Sequence, residues 1–234
     1  MTTGARHVRA GRPVVHTRFT DRRDGDLCVG LPDDVLEPRR ASVAPTPWTW
    51  LDQVHGADVV VVTGPGEHAG ASADAAVTDV VGATLAVHTA DCAGVLMHAI
   101  AGDRIVIGAA HAGWRGLELG VLGATVDAMR SLGAGTVRWR LGPCIGPAAY
   151  EFGRPDLDRL VEQFGDVVAS TTADGAPALD LRAGVAAALA AVDALPDVED
   201  PMAVRCTATD PDCFSWRARA DRGRQAAVIW TTAA

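Results

Sequence analysis

Three short apolar runs in the middle of the chain, residues 82–88, 94–100 and 105–110, constrain its fold more than any other feature. Each is continuous rather than alternating, as expected of strands buried on both faces. Ala101-Gly102-Asp103-Arg104 supplies a hairpin turn between the last two. Further strands are expected at 12–19, 136–141, 202–207 and 225–232, and extended segments at 48–54 and 57–63 on either side of His55-Gly56. Helices are expected at 32–41, 155–164 and 181–195. Another is expected at 117–132, where Leu119, Leu122, Val126 and Met129 share one face and Gly133 is a stop. Residues 20–26 read as a charged turn, and 64–73 and 170–177 as loops. Together these elements predict one α+β domain, residues 1–234, with mixed sheets and helices outside.

Composition narrows the function. Hydrophobic residues make up 48% of the chain and charged residues 21%, enough for a sizeable core and too apolar for disorder. A net charge of −8 argues against nucleic-acid binding, which wants a basic face. All 21 basic residues are arginine, so Schiff-base chemistry and a Walker-type phosphate lysine are excluded. Residues 1–11 lack the apolar core of a signal peptide, and 183–195 is too short to span a bilayer. A cytoplasmic protein without a membrane role is expected. Five irregularly spaced cysteines then read as thiols rather than a disulfide framework.

The apolar runs end in chemistry. Asp91-Cys92 closes the first, and His111 closes the third. His55 follows another extended segment. One thiol and two imidazoles suit Zn²⁺ with a coordination position left open. Their separations of 37 and 19 residues fit no local zinc motif, so a site would be assembled from three strand ends. The alternative is a buried Cys92 with two hydrogen-bonded turn histidines. Gly113-Trp114-Arg115-Gly116 stands at a strand-to-helix junction, where backbone amides and a guanidinium can hold phosphate or carboxylate. Arg115 is equally compatible with a structural ion pair. Asp91 can carry a proton, orient an imidazole or cap a turn. Cys144, bracketed by Gly142-Pro143 and Gly146-Pro147, is either an exposed nucleophile or part of a tight turn. The tail Asp221-Arg222-Gly223-Arg224-Gln225 reads as a solvated charged loop, the alternative being that it brings its arginines back toward a substrate. His88 and His98 read as core or surface residues, and Cys28, Cys206 and Cys213 as structural thiols.

Taken in order, Gln53-Val54-His55-Gly56, Asp74-Ala75-Ala76-Val77-Thr78, Thr89-Ala90-Asp91-Cys92, His111-Ala112-Gly113-Trp114-Arg115-Gly116, Gly142-Pro143-Cys144-Ile145-Gly146-Pro147 with Tyr150-Glu151, and Gly223-Arg224-Gln225 resemble the laccase-domain family. Its bacterial members are called polyphenol oxidase, peptidoglycan editing factor or purine nucleoside phosphorylase. The resemblance implies an α/β/β/α sandwich and a zinc site at His55, Cys92 and His111. It also implies phosphorolysis of adenosine, inosine and methylthioadenosine, with adenosine deamination as a further activity. Asp91, Cys92 and Arg115 would then be catalytic, and Gln53, Arg115, Cys144 and Arg217 would contact the nucleoside or phosphate. The chain departs from the family pattern at Ala93-Gly94, where proline is usual, and matches it loosely over residues 210–221.

Two other classes compete. A cysteine hydrolase would use Cys92 or Cys144 as nucleophile and His111 as base. A cell-wall precursor editing protein is the other. A multicopper oxidase is disfavoured because such sites use His-x-His pairs, and none of the seven histidines stands two positions from another.

Overall fold

The computed structural model describes residues 12–234. Residues 1–11, read above as lacking a signal-peptide core, lie outside the described residues. Two mixed sheets dominate. The five-stranded sheet runs β1 (Val14–Phe19), β13 (Gln225–Thr232), β6 (Thr84–Thr89), β2 (Trp48–Asp52), β4 (Ala71–Ser72). The six-stranded sheet runs β12 (Leu195–Pro196), β9 (Arg138–Leu141), β7 (Ala93–Ala101), β8 (Arg104–Ala112), β5 (Ala75–Thr78), β3 (Val59–Val61).

The two-residue period of the strands divides their side chains among three cores. Leu85 and Val87 of β6, Leu96 of β7, Ile107 and Ala109 of β8, and Ile229 of β13 fill the space between the sheets. Val95 and Met97 of β7, with Val106 and Ala110 of β8, point the other way. They meet α3 (Val121–Ser131), α4 (Arg154–Phe164) and α5 (Leu181–Ala190). On the far side, Trp48, Ala86, Ala226 and Val228 are covered by the end of α1 (Asp33–Val43) and by Leu27. This is the expected α/β/β/α order. The continuous apolar runs arise because both faces of each central strand are covered.

Several elements differ from expectation. The helix expected at 117–132 is two, α2 (Trp114–Glu118) and α3, because Gly120 takes a left-handed conformation at φ 86°. Leu119 is consequently 63% exposed rather than packed beside Leu122. The helix expected at 181–195 ends at Ala190, and Leu195 and Pro196 turn back to pair with β9. The loop expected at 170–177 contains a hairpin, β10 (Ala169–Thr171) with β11 (Pro177–Leu179). The strand expected at 202–207 is a turn-rich segment with one isolated backbone β-bridge, Cys206 beside Cys144. β5 was not expected, because four small residues carry little periodicity. The short helix α6 (Trp216–Arg219) lies within the arginine-rich tail. Among the described residues no helix is long and apolar enough to cross a membrane.

At the departure Ala93-Gly94 the sheets approach closely. A Cβ added at Gly94 would stand 2.8 Å from Ala227 Cβ of β13 in the facing sheet. Gly94→Ala is therefore expected to lower stability by about 1–3 kcal/mol through overpacking. A denaturant midpoint equal to the wild type would refute this.

Candidate metal centre

The sheet register assembles the site. β8 pairs with β7 so that His111 opposes Gly94 and Ala112 opposes Ala93. The β6–β7 turn carrying Cys92 therefore meets Gly113. β8 also pairs with β5, Ala110 opposite Ala75, and the His111 amide donates to the Asp74 carbonyl at 2.7 Å. His111 shares the strand parity of Ile107 and Ala109, so its ring lies at the edge of the space between the sheets. His55 arrives from the loop after β2. The possible ligand atoms of His55, Cys92 and His111 lie within 4.8 Å of one another. Cys92 Sγ and His55 Nε2 are 3.9 Å apart. Tetrahedral coordination with bonds of about 2.3 Å to sulfur and 2.0–2.1 Å to nitrogen would put them about 3.6 Å apart. The donor set thus fits a metal ion.

Asp74 organises this centre. It is fully buried, and its carboxylate accepts from the His111 ring at Nδ1, 2.8 Å away. It also accepts from three successive backbone amides: Val54 at 3.2 Å, His55 at 3.0 Å and Gly56 at 2.6 Å. One side chain thereby leaves His111 Nε2 free for a ligand role and holds His55 at a left-handed φ of 60°. Burial pushes the Asp74 carboxyl up, but the His111 and amide hydrogen bonds outweigh it and leave it below the usual range. Burial likewise opposes charge on Cys92, yet His111 and His55 bring the thiol down to about 6. Burial opposes charge on His111 too, but Cys92 and Asp74 raise it to about 9.

Two glycines explain the spacing of His111-Ala112-Gly113-Trp114-Arg115-Gly116. A Cβ at Gly113 would lie 2.8 Å from the His55 ring and 3.1 Å from Cys92 Sγ. A Cβ at Gly116 would lie 3.0 Å from the Gly56 carbonyl. Both positions must be bare for α2 to pack on the ligand loops.

The centre opens into a cleft of about 500 Å³, a normal size for a small-molecule site. Its walls include Cys28, Gln53, His88, Thr89, Trp216 and Arg224 beside the three ligand residues.

Residues 33–232 match the sequence profile of a family described as multi-copper polyphenol oxidoreductase laccase. The chain belongs to this family. Among its relatives, purine nucleoside phosphorylase ORF3 of Streptomyces griseus is 41% identical over 199 residues, 82% of this chain and 77% of that one. Purine nucleoside phosphorylase YfiH of Escherichia coli K12 is 37% identical over 213 residues, 88% of this chain and 84% of that one. The crystal structure of the hypothetical protein YfiH from Bacillus licheniformis superposes with a TM-score of 0.77 at 25% identity, covering 92% of each chain. That of YlmD from Geobacillus stearothermophilus gives 0.73 at 28% identity, covering 94% of this chain and 91% of that one.

In this laccase-like chain the expected site residues separate into groups. His55, Cys92 and His111 converge, as described. Gln53 lines the cleft, but both ends of its carboxamide are committed to the His88 backbone, each at 2.7 Å. Asp91 follows the same logic as Asp74. At φ 99° its carboxylate accepts from the Thr207 hydroxyl at 2.6 Å and the Arg217 amide at 2.7 Å, which pins the tail to the Cys92 turn. Arg115 is exposed, stacks 4.6 Å over Trp114 and is not among the cleft residues. Arg217 stacks 4.8 Å over Tyr150 and donates to the Glu151 carbonyl.

Cys144, expected to contact the substrate, is fully buried and lies outside the cleft residues; desolvation pushes its thiol up to about 12 despite nearby Arg182. All five cysteines are free thiols. Arg224, expected in a solvated loop, reaches the cleft, as do His88 and Trp216. Asp74 stood in a motif without an assigned role; a lone acid immediately before a buried apolar segment was the available signal.

Replacing Asp74 by Asn should weaken metal binding about 10–100-fold, the usual consequence of losing a carboxylate behind a ligand histidine. Gly113→Ala should weaken it as well, with the circular dichroism of the wild type. Competition against a chromophoric chelator measures both, and wild-type affinity in both variants would refute the assignment.

Proposed function

We propose that this chain is a zinc-dependent purine nucleoside phosphorylase acting on adenosine, inosine and methylthioadenosine, with adenosine deamination as a second activity. The observation that carries the reading is the His-Cys-His centre set beside a cleft of nucleoside size. Family membership and the names of the relatives support it. The thiolate and two imidazoles favour zinc over harder ions. Bound there, zinc would supply Lewis-acid polarisation.

The protein's own groups supply the rest. Arg115, which has no ion-pair partner among the described residues, and Arg224 in the cleft wall are the cations available to phosphate. Phosphate held near the ribose would replace the base as the C–N bond breaks. Asp91 positions Cys92 and the tail, and a proton-carrying role would require it to release Thr207 or the Arg217 amide. Gln53 holds His88 and Arg217 braces Tyr150, so their contribution to substrate binding is positional. The whole chain acts as one catalytic unit in the cytoplasm, in keeping with its five free thiols.

One arrangement favours a second reading. Asp74, His111 and Cys92 stand in the order of a cysteine-hydrolase triad, with Asp74 on the His111 Nδ1 side and Cys92 near its other nitrogen. Zinc-loaded wild type should release hypoxanthine from inosine only when phosphate is present. Removing the metal by chelation, or Cys92→Ala, should reduce that turnover to background. Full activity in Cys92→Ala would sink the site. A covalent adduct trapped on Cys92 of active, metal-loaded protein, with turnover independent of phosphate, would favour the hydrolase.

A further inference from the structure

Two side chains in the cleft are not explained by the metal centre. Five of the six tryptophans are buried or half-buried, whereas Trp216 is 56% exposed and lines the cleft. Its position is nonetheless well determined. The Ser215 hydroxyl accepts from the Ala218 amide and caps α6. The Arg217 amide donates to Asp91, immediately before Cys92. Arg219 donates to the Thr207 and Ala208 carbonyls, both at 2.9 Å. The backbone that carries the indole is therefore anchored, and the indole, more than half exposed, lines the cleft.

His88 is the opposite case. It is 7% exposed, lines the same cleft, and neither ring nitrogen has a hydrogen-bond partner. Its backbone is clamped on both sides by Gln53. Burial, reinforced by Arg40, His111 and Arg224, pushes its pKa down to about 3, so the ring is a neutral imidazole with one donor and one acceptor. Buried polar groups without partners are rare and call for one.

We propose that Trp216 and His88 form the base-recognition subsite of the cleft, the indole stacking on a flat heterocycle and the imidazole pairing with a polar atom on its edge. This rests on the nucleoside reading above and adds which groups hold the base. Stacking on tryptophan is tolerant of base identity because every base presents a π face. A neutral imidazole can donate to the oxygen of hypoxanthine or accept from the amine of adenine by changing tautomer. The pair therefore accepts both 6-oxo and 6-amino purines, while phosphate and metal are held by other residues.

Calorimetric titration of inosine into zinc-loaded wild type, Trp216→Ala, Trp216→Phe, His88→Phe and His88→Gln tests this, together with KM and kcat where turnover occurs. Trp216→Ala should weaken inosine binding about tenfold or more, and Trp216→Phe should retain most of the affinity. His88→Phe should weaken it about five- to tenfold, with partial rescue by His88→Gln. Zinc content and KM for phosphate should stay at wild-type values, as should the thermal midpoint of the two Trp216 variants. Wild-type inosine affinity in both Trp216→Ala and His88→Phe would overturn the subsite while leaving the phosphorylase reading intact. Binding that responds to these variants without phosphate-dependent turnover would keep the subsite and overturn the phosphorylase. Failure of wild type to bind inosine would overturn both.

Discussion

The Asp74 carboxylate is the interaction on which the rest of the site depends. It accepts one bond from His111 and three from consecutive amides of the His55 loop. A buried carboxylate without such donors would be costly to keep charged. Here the same bonds that stabilise its charge orient two of the three candidate ligands, His55 and His111. Cys92 is held differently, through Asp91 and the tail that Asp91 anchors. Two acids outside the donor set therefore fix the geometry of three residues that could hold a metal, and the turns carrying His55 and Cys92 each include a residue at positive φ.

This arrangement works because the centre sits where the two sheets meet. The β6–β7 turn carries the chain from one sheet to the other and delivers Cys92 at the crossing. His111 projects from the end of β8 into the same gap, with the bare positions Gly94 and Gly113 nearby. Small side chains at these points let the layers close on the ligands. The cleft opens beyond the end of the core, where Trp216 and Arg224 from the C-terminal tail complete walls begun by β2 and β6.

Much of the fold was legible because the central strands are buried on both faces, and continuous apolar runs bounded by glycine and acidic residues are hard to read otherwise. Errors fell where local signals were ambiguous. Gly120 lies inside a helical pattern that periodicity alone would continue, and β5 is too short to show a period. Cys144 carried the residue type of a nucleophile but the environment of a core residue. That burial is a property of the packed chain and cannot be read from the motif.

Composition and motif order alone determined that this chain is a mixed α/β protein of the laccase-like family with a thiol and two imidazoles at strand ends. Residue types and spacings persist in the unfolded chain, so they are readable there. Only the tertiary structure decided that those three groups converge, that Asp74 orients them, and that Trp216, His88 and Arg224 share their cleft. His88 and Trp216 are 128 residues apart in the chain. Their proximity follows from the pairing of β13 with β6, which brings the C-terminal tail to the edge where the Cys92 turn begins. Long-range pairing of this kind leaves no local trace in residue order, because its stabilisation comes from burial shared between distant segments.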